Sequence, residues 1–81
     1  SFNARFYVEN QRIVGEKHLK LKLRKSISNT RYDAILFFQA EPLPECIQAV
    51  FRLQANEFNG NTTLQLLIEH WSDNNNEIKN D

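Results

Sequence analysis

Apolar and polar positions alternate along most of the chain. Over residues 2–9, Phe2, Ala4, Phe6 and Val8 fall on one side, and Asn3, Arg5, Tyr7 and Glu9 on the other. Successive side chains of a strand point to opposite faces, so this period of two predicts a half-buried strand. Asn10-Gln11 interrupts the alternation before Ile13-Val14, which predicts a bulge or bend in one long first strand. Gly15 then supplies backbone freedom for a turn. Residues 17–25 form the second predicted strand, with Leu19, Leu21 and Leu23 on one face and His18, Lys20, Lys22 and Arg24 on the other. A strand of this kind joins an apolar core to an anionic partner.

A polar loop over residues 26–30 leads to a third predicted strand, residues 31–39. Tyr32, Ala34, Leu36 and Phe38 share one of its faces, and Asp33, Ile35, Phe37 and Gln39 the other. Both faces are apolar, so alternation leaves open which points inward. If Ile35 and Phe37 are core, Tyr32 and Phe38 stand outward beside the lysines. Glu41-Pro42-Leu43-Pro44 cannot continue a central strand, because proline lacks the amide donor and restricts its neighbour. Residues 40–46 are therefore a connection with room for one helical turn at most. The fourth strand spans residues 47–56 and the fifth residues 62–71, joined through Asn59-Gly60, a strong hairpin signal.

Five strands with one interruption and no long helix predict an all-β barrel or sandwich. The length and the break between strands three and four favour a five-stranded OB-fold Greek-key barrel, with an SH3-like barrel as the competitor. Residues 1–71 form that domain, and residues 72–81 are expected to be a polar flexible tail. With 81 residues there is room for one domain. No methionine occurs and the chain opens on Ser1, so it is expected to be an excised part of a longer protein.

The net charge is zero, but its distribution changes the picture. Residues 1–31 carry eight cations against Glu9 and Glu16, a balance of +6, and residues 32–81 carry Arg52 and Lys79 against eight acids, a balance of −6. A local basic field of this kind steers a polyanion even when total charge is null. Catalysis finds little support: His18 and His70 stand apart, no paired-acid, CxxC or HxxxH spacing occurs, and two glycines make no phosphate loop. Neither a catalytic residue nor a metal site is expected. Cys46, the single cysteine, excludes an internal disulfide and fits a small apolar filler in a reducing cytoplasm. No apolar run is long enough to span a bilayer as a helix, where about 20 residues are needed.

On an OB-fold the second and third strands and the loops joining strands one-two and four-five form the ligand surface. Cations beside aromatics there suit a single-stranded nucleic acid, with phosphates meeting cations and bases stacking on rings. Lys17, Lys20, Lys22 and Arg24 are the expected phosphate contacts, with Arg31 and Arg52 behind them. His18, Tyr32 and Phe38 are candidates to stack on or hydrogen-bond to bases, and Asn56, Phe58 and Asn59 of the four-five loop would flank the strand. Alternating lysines also read as a solvated face that blocks aggregation.

Several segments resemble the OB domain of the RecJ exonuclease family, single-strand-specific 5′→3′ nucleases of the DHH phosphoesterase group. They are Arg12-Ile13-Val14-Gly15-Glu16-Lys17-His18-Leu19-Lys20-Leu21, Asp33-Ala34-Ile35 with Phe37, Asn56-Glu57-Phe58 with Gly60, and Leu64-Gln65-Leu66. The family's loop motif carries cations where this chain has Asn59 and Thr62. The family's third strand tends to a small residue at Leu36 and to Asn at Phe38. The resemblance implies a domain that holds single-stranded DNA for upstream catalytic domains of the same chain, in DNA repair and recombination. It also implies that Mn²⁺ or Mg²⁺ serves those domains and that this part holds no cofactor. A cytoplasmic monomer without membrane contact is expected. A barrel that docks on catalytic domains or a repair partner, without touching DNA, is the alternative.

Overall fold

The computed structural model describes residues 1–25 and 28–73. Its five strands are β1 (Phe2–Val14), β2 (His18–Lys25), β3 (Arg31–Leu36), β4 (Cys46–Phe58) and β5 (Asn61–Asp73). They close into a barrel in the order β1-β2-β3-β5-β4. Every pair is antiparallel except β3 with β5, which is parallel. This is the five-stranded OB-fold that the alternation predicted. Closure matters because amphipathic strands left open would expose two pairing edges.

The inward face of β2 carries Leu19, Leu21 and Leu23, all buried. Phe6, Ala34, Leu36, Ile47, Ala49, Phe51, Leu66 and Ile68 meet them from the other strands. Phe6 sits edge-on to Phe51 at 5.6 Å and to Tyr32 at 5.9 Å between ring centroids. Such edge-to-face pairs add to the burial of apolar area.

Two bulges shape the outer surface. In β1, Val8 pairs with Leu23 and Asn10 with Lys22, so Glu9 is the extra residue. In β5, His70 pairs with Val50 and Ile68 with Phe51, which leaves Glu69 as the extra one. A bulge reverses the alternation beyond it. Past Glu9, Gln11 therefore lies opposite Leu21 and Arg12 opposite Lys20. Gln11 uses its position to exchange two hydrogen bonds with Leu43, whose N–H donates to Gln11 Oε1 at 2.8 Å. The Gln11 amide donates back to the Leu43 carbonyl at 3.0 Å.

That pair anchors the connection between β3 and β4, which contains no helix among the described residues. Leu43 seals the barrel from below at 4% exposure. β3 is shorter than the alternation predicted and stops at Leu36, because the chain turns at Phe37-Phe38 with Phe38 at φ 61°. Ala34 and Leu36 are its buried residues, so the face of Tyr32 points inward and that of Asp33 and Ile35 outward. The premise that Ile35 and Phe37 form the core is thereby corrected. β5 continues through Asp73, and the remainder of the expected tail, residues 74–81, lies outside the described residues.

The β4–β5 hairpin turns at Asn59 (φ 53°) and Gly60 (φ 82°), two positive values that define a type I′ connection. The hairpin runs on past the barrel. Leu53 and Leu64, on the same side as Phe51 and Leu66, are 51% and 64% exposed there. With Phe2 they border an apolar cleft of about 280 Å³.

Candidate nucleic-acid interface

The outer face of β1, β2 and β3 is built by register. Lys20 lies between Arg12 and Ile35, Lys22 between Asn10 and Asp33, and Arg24 between Tyr7 and Arg31. Five cations thus share one surface with two acids. An open groove of about 650 Å³ crosses it, bordered by Glu9, Asn10, Arg12, Lys20, Lys22, Arg31 and Asp33.

The acids do not neutralise this face evenly. Lys22 Nζ donates to Asp33 Oδ1 at 2.6 Å. Glu9, pushed out by its bulge, takes two arginines: Arg24 Nε at 2.9 Å and Arg31 Nε at 2.6 Å. The Arg31 hydrogen bond is the largest influence holding the Glu9 carboxyl below its ordinary value, and the charges of both arginines act with it. Arg24 also lies over the Tyr7 ring at 4.9 Å, a cation–π contact. Among the described residues, Arg12, Lys17 and Lys20 make no ion pair. Arg12 and Lys20 face each other across β1 and β2 in the groove, and Lys17 lies beyond them in the β1–β2 turn.

At that end the surface becomes aromatic. Lys17 is exposed in the turn, and His18 begins β2 on the outward face. Phe37 and Phe38 follow the end of β3 beside it, 46% and 80% exposed. His18 lies edge-on to both, with ring centroids 5.0 and 5.1 Å away. Cationic groove and exposed rings are contiguous.

The remaining candidates lie elsewhere. Tyr32 is half-buried on the inward face against Phe6 and does not stand beside the lysines. Arg52 projects from β4 and is held by Glu69 Oε2 at 2.9 Å, away from the groove. Asn56 donates to Gln65 Oε1 at 3.1 Å across the hairpin, and Asn59 occupies its turn. Phe58 ends β4 opposite Asn61, and its side chain lies outside the described part. Because β3 and β5 are parallel and Ile35 pairs with Leu67, this hairpin tip lies beyond the start of β3. Phe38 lies beyond its other end. Asn61 to Leu67 alone spans about 20 Å at roughly 3.3 Å per residue. The hairpin tip and the aromatic end are therefore not one site.

Two residues of this surface do not stand out from the sequence. Arg12 turns outward through the Glu9 bulge, whereas an unbroken alternation would put it on the inward side with Phe6 and Val8. Phe37 escapes alternation because the strand ends before it. Among the described residues, no group of three or more His, Cys, Asp or Glu side chains gathers as a metal site.

Residues 1–70 match the family described as the RecJ OB domain. The chain is 36% identical over 75 residues to the single-stranded-DNA-specific exonuclease RecJ of Dickeya dadantii, covering 86% of this chain and 13% of that protein. With the same-named protein of Escherichia coli the identity is 34% over 74 residues, covering 85% and 13%. With that of Salmonella typhimurium it is 33% over 73 residues, covering 84% and 13%. The chain thus spans about 13% of the length of these curated relatives. No solved structure gives a significant match.

Proposed function

The chain belongs to the RecJ OB domain family, and from that membership we propose that it binds single-stranded DNA along the β1–β2–β3 groove. In this reading Arg12, Lys17 and Lys20 contact successive phosphates, and Phe37 and Phe38 receive bases at the end of the groove. Lys22, Arg24 and Arg31 join once phosphate replaces their carboxylate partners. The domain holds the strand for a catalytic core elsewhere in the parent protein and cuts nothing itself. The observation that carries the reading is the Arg12–Lys20 neighbour pair, free of ion pairs, in a groove that ends on two exposed rings. The names of the relatives, exonucleases specific for single-stranded DNA, agree with it.

The test is a fluorescence anisotropy titration of the chain with labelled oligo(dT) at several salt concentrations. The double variant Lys20→Ala/Lys22→Ala is expected to bind more weakly and with a shallower salt slope, by about 0.7 for each phosphate that the domain no longer neutralises. Unchanged affinity and slope would sink the assignment. The apolar cleft beside Phe2, Leu53 and Leu64 favours a second reading, a barrel that docks on another domain or protein. That reading predicts co-purification with the parent's catalytic part together with no measurable affinity for oligo(dT).

A further inference from the structure

We infer that His18 is the positioning residue of a base-stacking platform, holding Phe38 so that its ring stands out of the barrel beside Phe37. The inference rests on the single-strand reading above and names what orders the aromatic end of that site.

Phe38 adopts φ 61°, a left-handed backbone conformation that bulky L side chains rarely enter. Its ring is 80% exposed, so burial of apolar area does little to offset the strain. A hydrogen bond holds the turn instead: the Phe38 N–H donates to His18 Nδ1 at 3.0 Å. A neutral imidazole that accepts at Nδ1 carries its proton on Nε2, so this bond also selects the tautomer. The other side of the ring rests near the β1–β2 turn, where a Cβ added at Gly15 would stand 3.7 Å from His18 Cδ2. His18 thus lies beside the turn, is bonded to the Phe38 backbone, and packs edge-on against both phenyl rings. Phe37 and Phe38 are themselves 6.5 Å apart and tilted by 49°. That leaves two differently oriented ring faces for an unstacked base. A strained backbone with an exposed aromatic, fixed by a dedicated side chain, suits a ligand that stacks. It contributes little to the barrel core.

The experiment compares the parent chain with His18→Phe, His18→Asn and Phe38→Ala. Three readings are taken: protection of the Phe38 amide by NMR hydrogen exchange, quenching of 2-aminopurine in a short oligo(dT), and affinity at several salt concentrations. His18→Phe keeps a ring and removes the acceptor. It is expected to abolish Phe38 amide protection and to bind about tenfold more weakly, as Phe38→Ala does, with reduced quenching. The salt slope should stay the same, because the phosphate-binding cations are all intact. The carbonyl oxygen of Asn occupies nearly the place of Nδ1, so His18→Asn is expected to restore protection and most of the affinity. Circular dichroism confirms that each variant is folded. If His18→Phe binds and quenches like the parent, the inference fails alone. A fall in salt slope fails it too, by making His18 a phosphate ligand. Absence of binding by the parent overturns the single-strand reading and this one together.

Discussion

Glu9 accepts a hydrogen bond from Arg31 Nε at 2.6 Å, although the two residues lie on different strands and are joined only by the fold. The same carboxylate holds Arg24 at 2.9 Å. A carboxylate between two guanidinium groups stands where a phosphate oxygen would, so under the proposed function Glu9 would compete with DNA for both arginines. Glu9→Gln removes the charge and keeps the shape. It is expected to tighten oligo(dT) binding severalfold at low salt and to steepen the salt slope by about 0.7 for each arginine that then reaches a phosphate. Anisotropy titrations read both quantities. Weaker binding would mean that Glu9 orients the arginines for DNA instead of occupying them.

The same clasp fixes a pH dependence. The Glu9 carboxyl lies below its ordinary value of 4.5, chiefly because Arg31 hydrogen-bonds to the ionised form. A carboxyl whose pKa is depressed on folding contributes stability that is fully present above the unfolded value. That contribution disappears as pH falls through the folded one. The urea midpoints of the parent and of Glu9→Gln should therefore differ by a constant amount above pH 4.5 and converge below it. A gap that widens on acidification would contradict the assignment. All three side chains keep contact with solvent, which screens the ion pairs, so the gap at neutral pH is small.

Lys20 and Lys22 are adjacent on one face and alike in sequence, yet their surroundings separate them. Lys22 is engaged by Asp33 at 2.6 Å, whereas Lys20 faces Arg12 and Ile35. Lys20→Ala is expected to reduce affinity for oligo(dT) by about fivefold and to lower the salt slope. Lys22→Ala should cost less, because binding first has to break its ion pair. Asp33→Asn should enlarge the effect of Lys22→Ala. Equal effects from both lysines would show that the Asp33 ion pair is irrelevant in the complex.

The barrel was legible from alternation because each strand buries one face and the core takes that face with few exceptions. Leu19, Leu21 and Leu23 point inward as the pattern required. The third strand was not legible, because both of its faces are apolar. The inward direction was settled by Ala34 and Leu36 joining the core with Phe6 and Leu21, and that turned Tyr32 away from the lysines. The cationic face was visible as residues but not as pairs. Which cations are free depends on Glu9 and Asp33, whose partners lie 11 to 22 positions away. Phe38 is exposed, as expected, but for another reason: a left-handed turn held by His18 places it there, since β3 has already ended.

The two ends of the sheet respond differently to backbone substitution. Gly15, at φ 60°, opens the β1–β2 turn beside the groove, and a Cβ placed there would meet His18 only at ordinary van der Waals distance. Steric exclusion is therefore absent, and the cost of Gly15→Ala is the left-handed conformation itself, about 1 kcal/mol. Asn59 sits at φ 53° in the β4–β5 turn, where glycine would relieve the same strain but loosen the unfolded chain. Asn tolerates this region well, so Asn59→Gly should change stability by less than about 0.5 kcal/mol. Urea denaturation measures both. Binding separates them further: Gly15→Ala strains the turn beside His18 and should weaken oligo(dT) binding. Asn59→Gly lies at the opposite end of the sheet and should leave binding unchanged. Equal effects of the two substitutions on affinity would place the DNA across the hairpin tip and away from the β1–β2 turn.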